Sequence, residues 1–165
     1  VDDLIDLARD RTLTDDEKSD VDLADIADAS VQRARLMWPA VEFELQAESS
    51  IISGNAAQIT RALNNLISNA IKYGEGPVHV HVEDGVVTVR DHGQGLPDAD
   101  LTQVFTRYYR SSNTGNAVGS GLGLAIVEHI VRSHGGEVTA ANCDGGGACF
   151  EMRLPCGVVR EVGNV

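Results

Sequence analysis

The segment NNLISNAIKYG, residues 64–74, places three asparagines within six positions of a helical pattern. Asparagine is a poor residue for a helix interior, because its amide competes for backbone hydrogen bonds. At three- and four-residue steps, which share a helix face, the residues separate into an apolar and a polar stripe. The apolar stripe contains Ile59, Ala62, Leu63, Leu66, Ile67 and Ala70, and the polar stripe contains Arg61, Asn65, Asn69, Lys72 and Tyr73. We therefore predict an amphipathic helix from about Asn55 to Tyr73 that ends at Gly74.

The polar stripe has the chemistry of a metal and phosphate site. Asn65 and Asn69 are one helical turn apart, and Lys72 follows on the same side. Amide oxygens are hard, neutral ligands that suit Mg²⁺, an ion that bridges phosphates in many sites. A lysine beside them can neutralise phosphate as a point charge. For this helix alone, an ordinary solvated polar face is the open alternative.

The segment DHGQGLP follows a predicted strand. Asp91 comes at the strand's end, and Gly93 and Gly95 alternate after it. Glycine lets a backbone approach a flat ligand closely, and a carboxylate can accept a hydrogen bond from an exocyclic amine such as that of adenine. An ordinary turn after an aspartate is the alternative.

A third segment, GSGLGLAIV, places Gly119, Gly121 and Gly123 before an apolar helix. The amides at a helix N-terminus favour an anion. The segment is not a dinucleotide fingerprint, because the third glycine would fall at Leu124 and no strand precedes it. It is not a phosphate loop of the lysine-containing type either, since no lysine follows.

The remaining pattern indicates the fold class. Apolar residues at helical spacing predict a helix within residues 21–39, an Asp84–Gly85 turn joins two alternating strands, and GEVTAANCDGGGACFEMRLP resembles a final hairpin. VEFELQ predicts a strand, IISGN a short second strand, and LTQVFTRYYR a partly helical segment. We predict an α+β fold, a two-layer sandwich of one mixed sheet of about five strands covered on one face by about three helices.

Composition excludes several classes of protein. No apolar run reaches the roughly 18 residues of a membrane span, and the net charge of −12 disfavours nucleic-acid binding. The cysteines Cys143, Cys149 and Cys156 lack metal-site spacing and are odd in number. We expect them to be small core residues in a reducing compartment.

In this order, the motifs resemble the catalytic, ATP-binding domain of sensor histidine kinases, which has the Bergerat fold shared with gyrase, Hsp90 and MutL. NNLISNAIKYG resembles the family's N box, DHGQG its first glycine box, VFTRYYR its F box and GSGLGLAIV its second glycine box. The likeness extends over about residues 20–155.

The resemblance implies roles for individual residues. Asn69 would be the Mg²⁺ ligand with Asn65 in support, and Asn65, Asn69 and Lys72 would be the catalytic set. The ATP contacts implied are Asn69, Lys72, Tyr73, Asp91, Gly93, Gly95, Leu96, Arg107, Arg110, Gly119, Ser120, Gly121, Leu122 and Gly123. Residues 106–120 would form a lid, in which Arg107 and Arg110 are phosphate contacts or, alternatively, surface charges.

Other side chains receive structural roles. Phe105 and Tyr108 are expected to pack at the base of the lid rather than meet the nucleotide. The five histidines have no catalytic setting, and we expect them to be structural or exposed. They are His79, His81, His92, His129 and His134.

Position 65 distinguishes members of the superfamily. The resemblance would put a glutamate there in the hydrolysing relatives and in serine-kinase relatives that bind sigma factors, where it acts as general base. Asn65 cannot take a proton, whereas an imidazole acceptor is largely neutral and nucleophilic at pH 7. The residue therefore fits phosphoryl transfer to a histidine. A stand-alone anti-sigma regulator that phosphorylates serine is the alternative function.

The domain organisation follows from the resemblance. Residues 1–10 would end the preceding acceptor and dimerisation helix, 11–20 would be a linker, 21–155 the ATP-binding domain and 156–165 a C-terminal tail. No histidine has the family's S/T-H-E-x-R-T-P-like context, so the acceptor would belong to a domain before residue 1. The partners expected are ATP, that acceptor domain and a response regulator. The location expected is the cytoplasmic part of a membrane-anchored sensor kinase.

Overall fold

The structure, a computed structural model, describes residues 15–109 and 121–156. In chain order, its elements are a 3-10 helix (Asp15–Glu17), β1 (Ser19–Asp22), α1 (Leu23–Met37), β2 (Phe43–Ala47), β3 (Ile51–Gly54), α2 (Ala56–Tyr73), β4 (Val78–Glu83), β5 (Val86–Arg90), a second 3-10 helix (Asp98–Asp100), α3 (Gly123–Ser133), β6 (Glu137–Asn142) and β7 (Ala148–Arg153). The predicted hairpins and three α-helices are present with bounds close to those expected.

Five strands form one mixed sheet in the order β2-β4-β5-β7-β6. The β2–β4 pair is parallel, and the other three pairs are antiparallel. Burial alternates along β4, where Val78, Val80 and Val82 are buried and the histidines between them are half-buried. One face of the sheet therefore forms the core with the helices, which confirms the predicted two-layer α+β fold.

Helix α2 is the central helix of this layer. Its buried residues are Ile59, Ala62, Leu63, Leu66, Ile67 and Ala70, the apolar stripe predicted from the sequence. Asn55 caps its first turn, with the side-chain oxygen accepting from the Gln58 N–H at 3.1 Å. The Gly74 N–H bonds to the Ala70 carbonyl at 2.9 Å and ends the helix. On the polar stripe, Asn65 and Asn69 are half-buried and Lys72 is exposed.

A second, two-stranded sheet pairs β1 with β3. Strand β1 was not predicted, and it begins at Ser19, inside the predicted linker. Asp22 joins β1 to α1 by accepting from the Ala24 N–H and the Ser50 N–H, each at 2.9 Å. The Ser49 hydroxyl donates to the same carboxylate at 2.6 Å. These hydrogen bonds lower the pKa of Asp22, and the bond from Ser49 has the largest effect.

Two local expectations were wrong. Residues 101–109 form successive turns rather than the predicted partly helical segment, because their backbone bonds mostly close over three residues, as from Thr106 N to Gln103 O at 2.9 Å. The cysteines are not core residues, since Cys143 and Cys149 are half-buried and Cys156 is exposed, all with free thiols. Within the described ranges, no helix has both the length and the apolar character needed to cross a membrane.

Candidate functional site

Asp91 follows β5 and is 4% exposed. Its Oδ1 accepts from the Gly93 N–H at 2.9 Å and from the Ala148 N–H at 3.1 Å. No described residue donates a hydrogen bond to Oδ2. A nearly buried carboxylate with one oxygen bound by the protein and the other without a protein donor is suited to accept from a ligand donor.

The C-terminal end of α2 packs directly against this carboxylate. A Cβ at Gly74 would lie 2.4 Å from the Asp91 Cβ, so only glycine fits between helix and strand. A Cβ at Gly93 would lie 2.9 Å from the Gly74 Cα and from the Tyr73 carbonyl oxygen. The contact with α2 therefore requires glycine at position 93, independently of any ligand.

The polar stripe of α2 leads from Asp91 towards the start of α3. Asn65 is half-buried, and its Nδ2 donates to the Gly123 carbonyl at 3.4 Å. Asn69 is half-buried between Asn65 and the exposed Lys72, and Tyr73 is 40% exposed. The structure thus brings Asn65 to the junction of α2 and α3, and Asn69 lies one helical turn further along α2.

The second glycine segment enters α3 through a left-handed residue, Gly121, with φ of +72°. A Cβ there would lie 2.9 Å from the Tyr108 Cα, and the Tyr108 N–H donates to the Gly121 carbonyl at 2.9 Å. Leu122 is buried, whereas a Cβ at Gly123 would meet no described residue within 4 Å. Among the described residues, space is therefore open beside the first turn of α3.

Three predicted contacts, Arg110, Gly119 and Ser120, lie outside the described residues, as does most of the predicted lid. Arg107 is exposed. Phe105 packs edge-on against Phe150 at 6.2 Å between ring centroids, and its place at the base of a lid stays a prediction. Tyr108 is 61% exposed, so the expectation that its ring packs there was wrong.

Comparison with known proteins agrees with this geometry. Residues 54–158 match the family model described as histidine kinase-, DNA gyrase B-, and HSP90-like ATPase. The chain is 42% identical over 142 residues to the signal transduction histidine-protein kinase AfsQ2 of Streptomyces coelicolor, a match covering 82% of this chain and 26% of that protein. With the signal transduction histidine-protein kinase/phosphatase MprB of Mycolicibacterium paratuberculosis it shares 36% identity over 169 residues, covering 94% and 32% of the two chains.

Solved structures show the same likeness. The structure of the mycobacterial sensor histidine kinase MprB superposes with a TM-score of 0.75 at 30% identity, covering 84% of this chain and 98% of that one. The chain belongs to the ATP-binding catalytic domains of sensor histidine kinases. The ATP binding domain of PrrB from Mycobacterium tuberculosis gives a TM-score of 0.72 at 28% identity, covering 86% and 99%. This kinase domain spans 26% and 32% of the length of the two curated relatives named above.

The HGG motif of the kinase domain has a structural role. His134 is buried, its Nε2 accepts from the Asn55 N–H at 3.0 Å, and its Nδ1 lies 2.7 Å from the Ile130 carbonyl oxygen. The Nδ1–H tautomer satisfies both bonds. Burial lowers the pKa of His134, against the opposing effect of the Ile130 hydrogen bond. The imidazole thus links the end of α3 to the start of α2, and the expectation of a structural histidine is confirmed.

The other histidines make contacts away from α2. The Nδ1 of His79 lies 3.0 Å from Glu44, and the Nε2 of His81 lies 3.3 Å from Glu83. The Nδ1 of His92 lies 3.0 Å from the Pro77 carbonyl oxygen, and His129 is half-buried on α3. That these four histidines lack a catalytic setting stays a prediction.

Several residues that shape the kinase site were not predicted. Gly74 was predicted only as a helix stop, yet it packs on Asp91. Ala148 binds Asp91 through its backbone N–H, which no side-chain pattern reveals. Tyr109 donates its hydroxyl to the buried Asp100, and this hydrogen bond raises the pKa of Tyr109. The tyrosine ties the turns after residue 98 together where the predicted lid begins.

Proposed function

We propose that this kinase domain binds Mg²⁺–ATP and donates the γ-phosphoryl group to a histidine of a separate acceptor domain, as one step of two-component signalling. The observation that carries the proposal is Asp91, whose Oδ1 is bound by two backbone N–H groups. Its Oδ2 is the acceptor that the 6-amino group of adenine requires. A purine with a carbonyl oxygen at that position would face Oδ2 with a second acceptor, so the site disfavours it.

The phosphate end of the nucleotide would lie along the polar stripe of α2. Asn69, with Asn65 in support, would hold Mg²⁺, and Lys72 would contact phosphate. Hard amide oxygens suit this ion, and no group of three or more potential His, Cys, Asp or Glu ligands is found among the described residues. The nucleotide phosphates would therefore complete its coordination. When bound, the ion neutralises charge that develops on the phosphates.

Asn65 supports transfer to an imidazole rather than to water. Its Nδ2 is bound to the Gly123 carbonyl, and an amide has no basic site for a proton at neutral pH. Hydrolysis would therefore lack a general base at this position. A neutral imidazole needs no such base, so transfer to histidine depends mainly on positioning and charge neutralisation.

The acceptor would come from outside the described residues. Of the five described histidines, His134 has both ring nitrogens engaged within the fold, and none has the S/T-H-E-x-R-T-P-like context of the family's acceptor. We propose a helical acceptor domain of the parent protein as the partner, and a response regulator as the next receiver. The proposed location is the cytoplasmic part of a membrane-anchored sensor.

The test uses γ-labelled ATP with the chain alone and with the acceptor domain of the same parent. The expected result is acid-labile label on the acceptor domain only, formed weakly because separating the domains lowers their effective concentration. The Asp91→Asn variant should lose this transfer, whereas the charge-matched Asp84→Asn in the β4–β5 turn should keep it. Acid-stable label on the chain itself would instead support the serine-kinase alternative.

A further inference from the structure

Asn142, the last residue of β6, is bonded to the loop that follows Asp91. The Leu96 N–H donates to the Asn142 Oδ1 at 2.8 Å, and the Asn142 Nδ2 donates to the Leu96 carbonyl at 2.7 Å. One side-chain amide thereby satisfies both backbone groups of a single loop residue, as a neighbouring strand would.

The same amide also limits the residue before Leu96. Gly95 has φ of +73°, and a Cβ there would lie 2.5 Å from the Asn142 Oδ1. Glycine at position 95 is therefore required by the backbone conformation and by the contact with Asn142. From the sequence, Gly95 was explained only by the close approach of the backbone to a flat ligand.

Asn142 and Ala148 are cross-strand partners on the β6–β7 hairpin. Ala148 exchanges hydrogen bonds with Asp91, through its N–H to Oδ1 at 3.1 Å and through its carbonyl to the Asp91 N–H at 3.0 Å. One rung of the hairpin thus holds the carboxylate at one end and the 95–96 backbone at the other.

The side chain of Asn142 is not part of the core. It is exposed, and asparagine is depleted from strands. Neither burial nor strand preference accounts for the residue at this position. The two hydrogen bonds from its side chain to Leu96 do account for an asparagine here. They hold the loop beside Asp91, the proposed adenine acceptor.

We propose that Asn142 is a positioning residue for nucleobase recognition, which fixes the Gly95–Leu96 wall relative to Asp91 and so sets the width of the slot for the base. The inference rests on the proposed nucleotide binding. Asn142 acts through Leu96, so removing its amide should affect the base end of the ligand and leave the phosphate end unchanged.

The test compares binding of ATP, GTP and inorganic tripolyphosphate, each with Mg²⁺, by titration calorimetry. In Asn142→Ala, affinity for ATP should fall roughly tenfold, because two hydrogen bonds that order the loop are lost. The preference for ATP over GTP should fall in parallel, and tripolyphosphate affinity should stay within about twofold. Amide exchange at Leu96 should accelerate, whereas that at Gly93 should not.

Two further variants test whether the effect comes from the Asn142 amide. Asn142→Asp retains the acceptor for the Leu96 N–H but loses the donor, so its ATP affinity should lie between those of the parent and Asn142→Ala. Thr139→Ala, exposed on the same strand, should match the parent. Parental ATP affinity in Asn142→Ala, or an equal loss for ATP and tripolyphosphate, would overturn the inference. A parent chain that fails to bind ATP would instead remove the proposed function.

Discussion

At the residue scale, Asp91 shows how one side chain can serve both the fold and a ligand. Its Oδ1 is held by Gly93 and Ala148, and its Oδ2 has no protein donor within the described residues. The protein bonds fix the direction of the carboxylate before any ligand arrives. This preorganisation lowers the entropic cost of binding.

We expect Asp91→Asn to retain the fold and to lose adenine recognition. The side-chain oxygen of asparagine can keep both bonds now made to Oδ1, while the NH₂ group replaces Oδ2 and meets the base's amino group donor to donor. ATP affinity should fall by about 2–4 kcal/mol, measured by titration calorimetry beside thermal unfolding. An affinity within about threefold of the parent would contradict the assignment.

Asn69→Ala tests the proposed metal contact. Because its amide oxygen is proposed to bind the ion and not the base, the variant should weaken Mg²⁺–ATP more than metal-free ATP. The measurement is ATP affinity across a range of Mg²⁺ concentrations. Asn64→Ala removes the same kind of amide five residues before Asn69, off the polar stripe, and should behave as the parent. Equal Mg²⁺ dependence in the Asn69 variant and the parent would exclude Asn69 from the site.

At the element scale, the site depends on how α2 and α3 are joined. Two hydrogen bonds join them, from Asn65 Nδ2 to the Gly123 carbonyl at 3.4 Å and from the Asn55 N–H to the His134 Nε2 at 3.0 Å. The second bond satisfies an N–H that precedes α2, and the first holds the start of α3 beside the asparagines. Together they hold α3 against α2, with Gly123 beside Asn65.

The bond at His134 predicts a pH dependence of stability. The folded-state pKa is lowered from 6.5 by burial, so the neutral form is favoured on folding. The stabilisation is present above the unfolded pKa of 6.5 and is lost as pH falls through the folded-state pKa. His134→Gln should cost about 1–3 kcal/mol at pH 8, and the gap to the parent should narrow between about pH 7 and pH 5.

The measurement is the free energy of unfolding in urea at several pH values. His129→Gln, on the same helix, serves as the control for removing a half-buried histidine. A gap between parent and His134→Gln that is the same at all pH values would show that protonation of His134 does not affect folding.

At the scale of the whole molecule, residues from both sheets and all three helices join in one apolar core, among them Val31, Ile52, Leu66, Val127 and Phe150. A chain with a single core is expected to unfold in one cooperative transition. The proposed nucleotide site lies against this core through Leu122 and the partly buried Leu96. Binding there should therefore stabilise the whole domain.

We expect Mg²⁺–ATP at about 100 times its Kd to stabilise the domain by about 2.7 kcal/mol, which raises Tm by about 5–10 °C. GTP at the same concentration should raise it much less, and Asp91→Asn should abolish the difference between the two nucleotides. Differential scanning calorimetry gives both the shift and the number of transitions. Two separate transitions, or equal shifts with ATP and GTP, would contradict this expectation.

The sequence by itself determined most of the helices and strands, while the membership of the nucleotide site stays a prediction. The apolar stripe of α2, its end at Gly74 and the Asp84–Gly85 hairpin all follow from residues a few positions apart, within reach of local periodicity and turn chemistry. The order of the motifs likewise identified the family. Local pattern misled at residues 101–109, where turns form, at the cysteines and Tyr108, which are more exposed than expected, and at Ser19–Asp22, where a strand begins inside the predicted linker.

Only the tertiary structure decided which backbone groups complete the site. The bonds from Leu96 to Asn142, from Asn65 to Gly123 and from Asn55 to His134 join residues 46, 58 and 79 positions apart. Strand β1 likewise exists through pairing with β3 rather than through its own four residues. Such contacts form when separate elements pack on a common core, and no local periodicity in the sequence records which backbone donor or acceptor will face them.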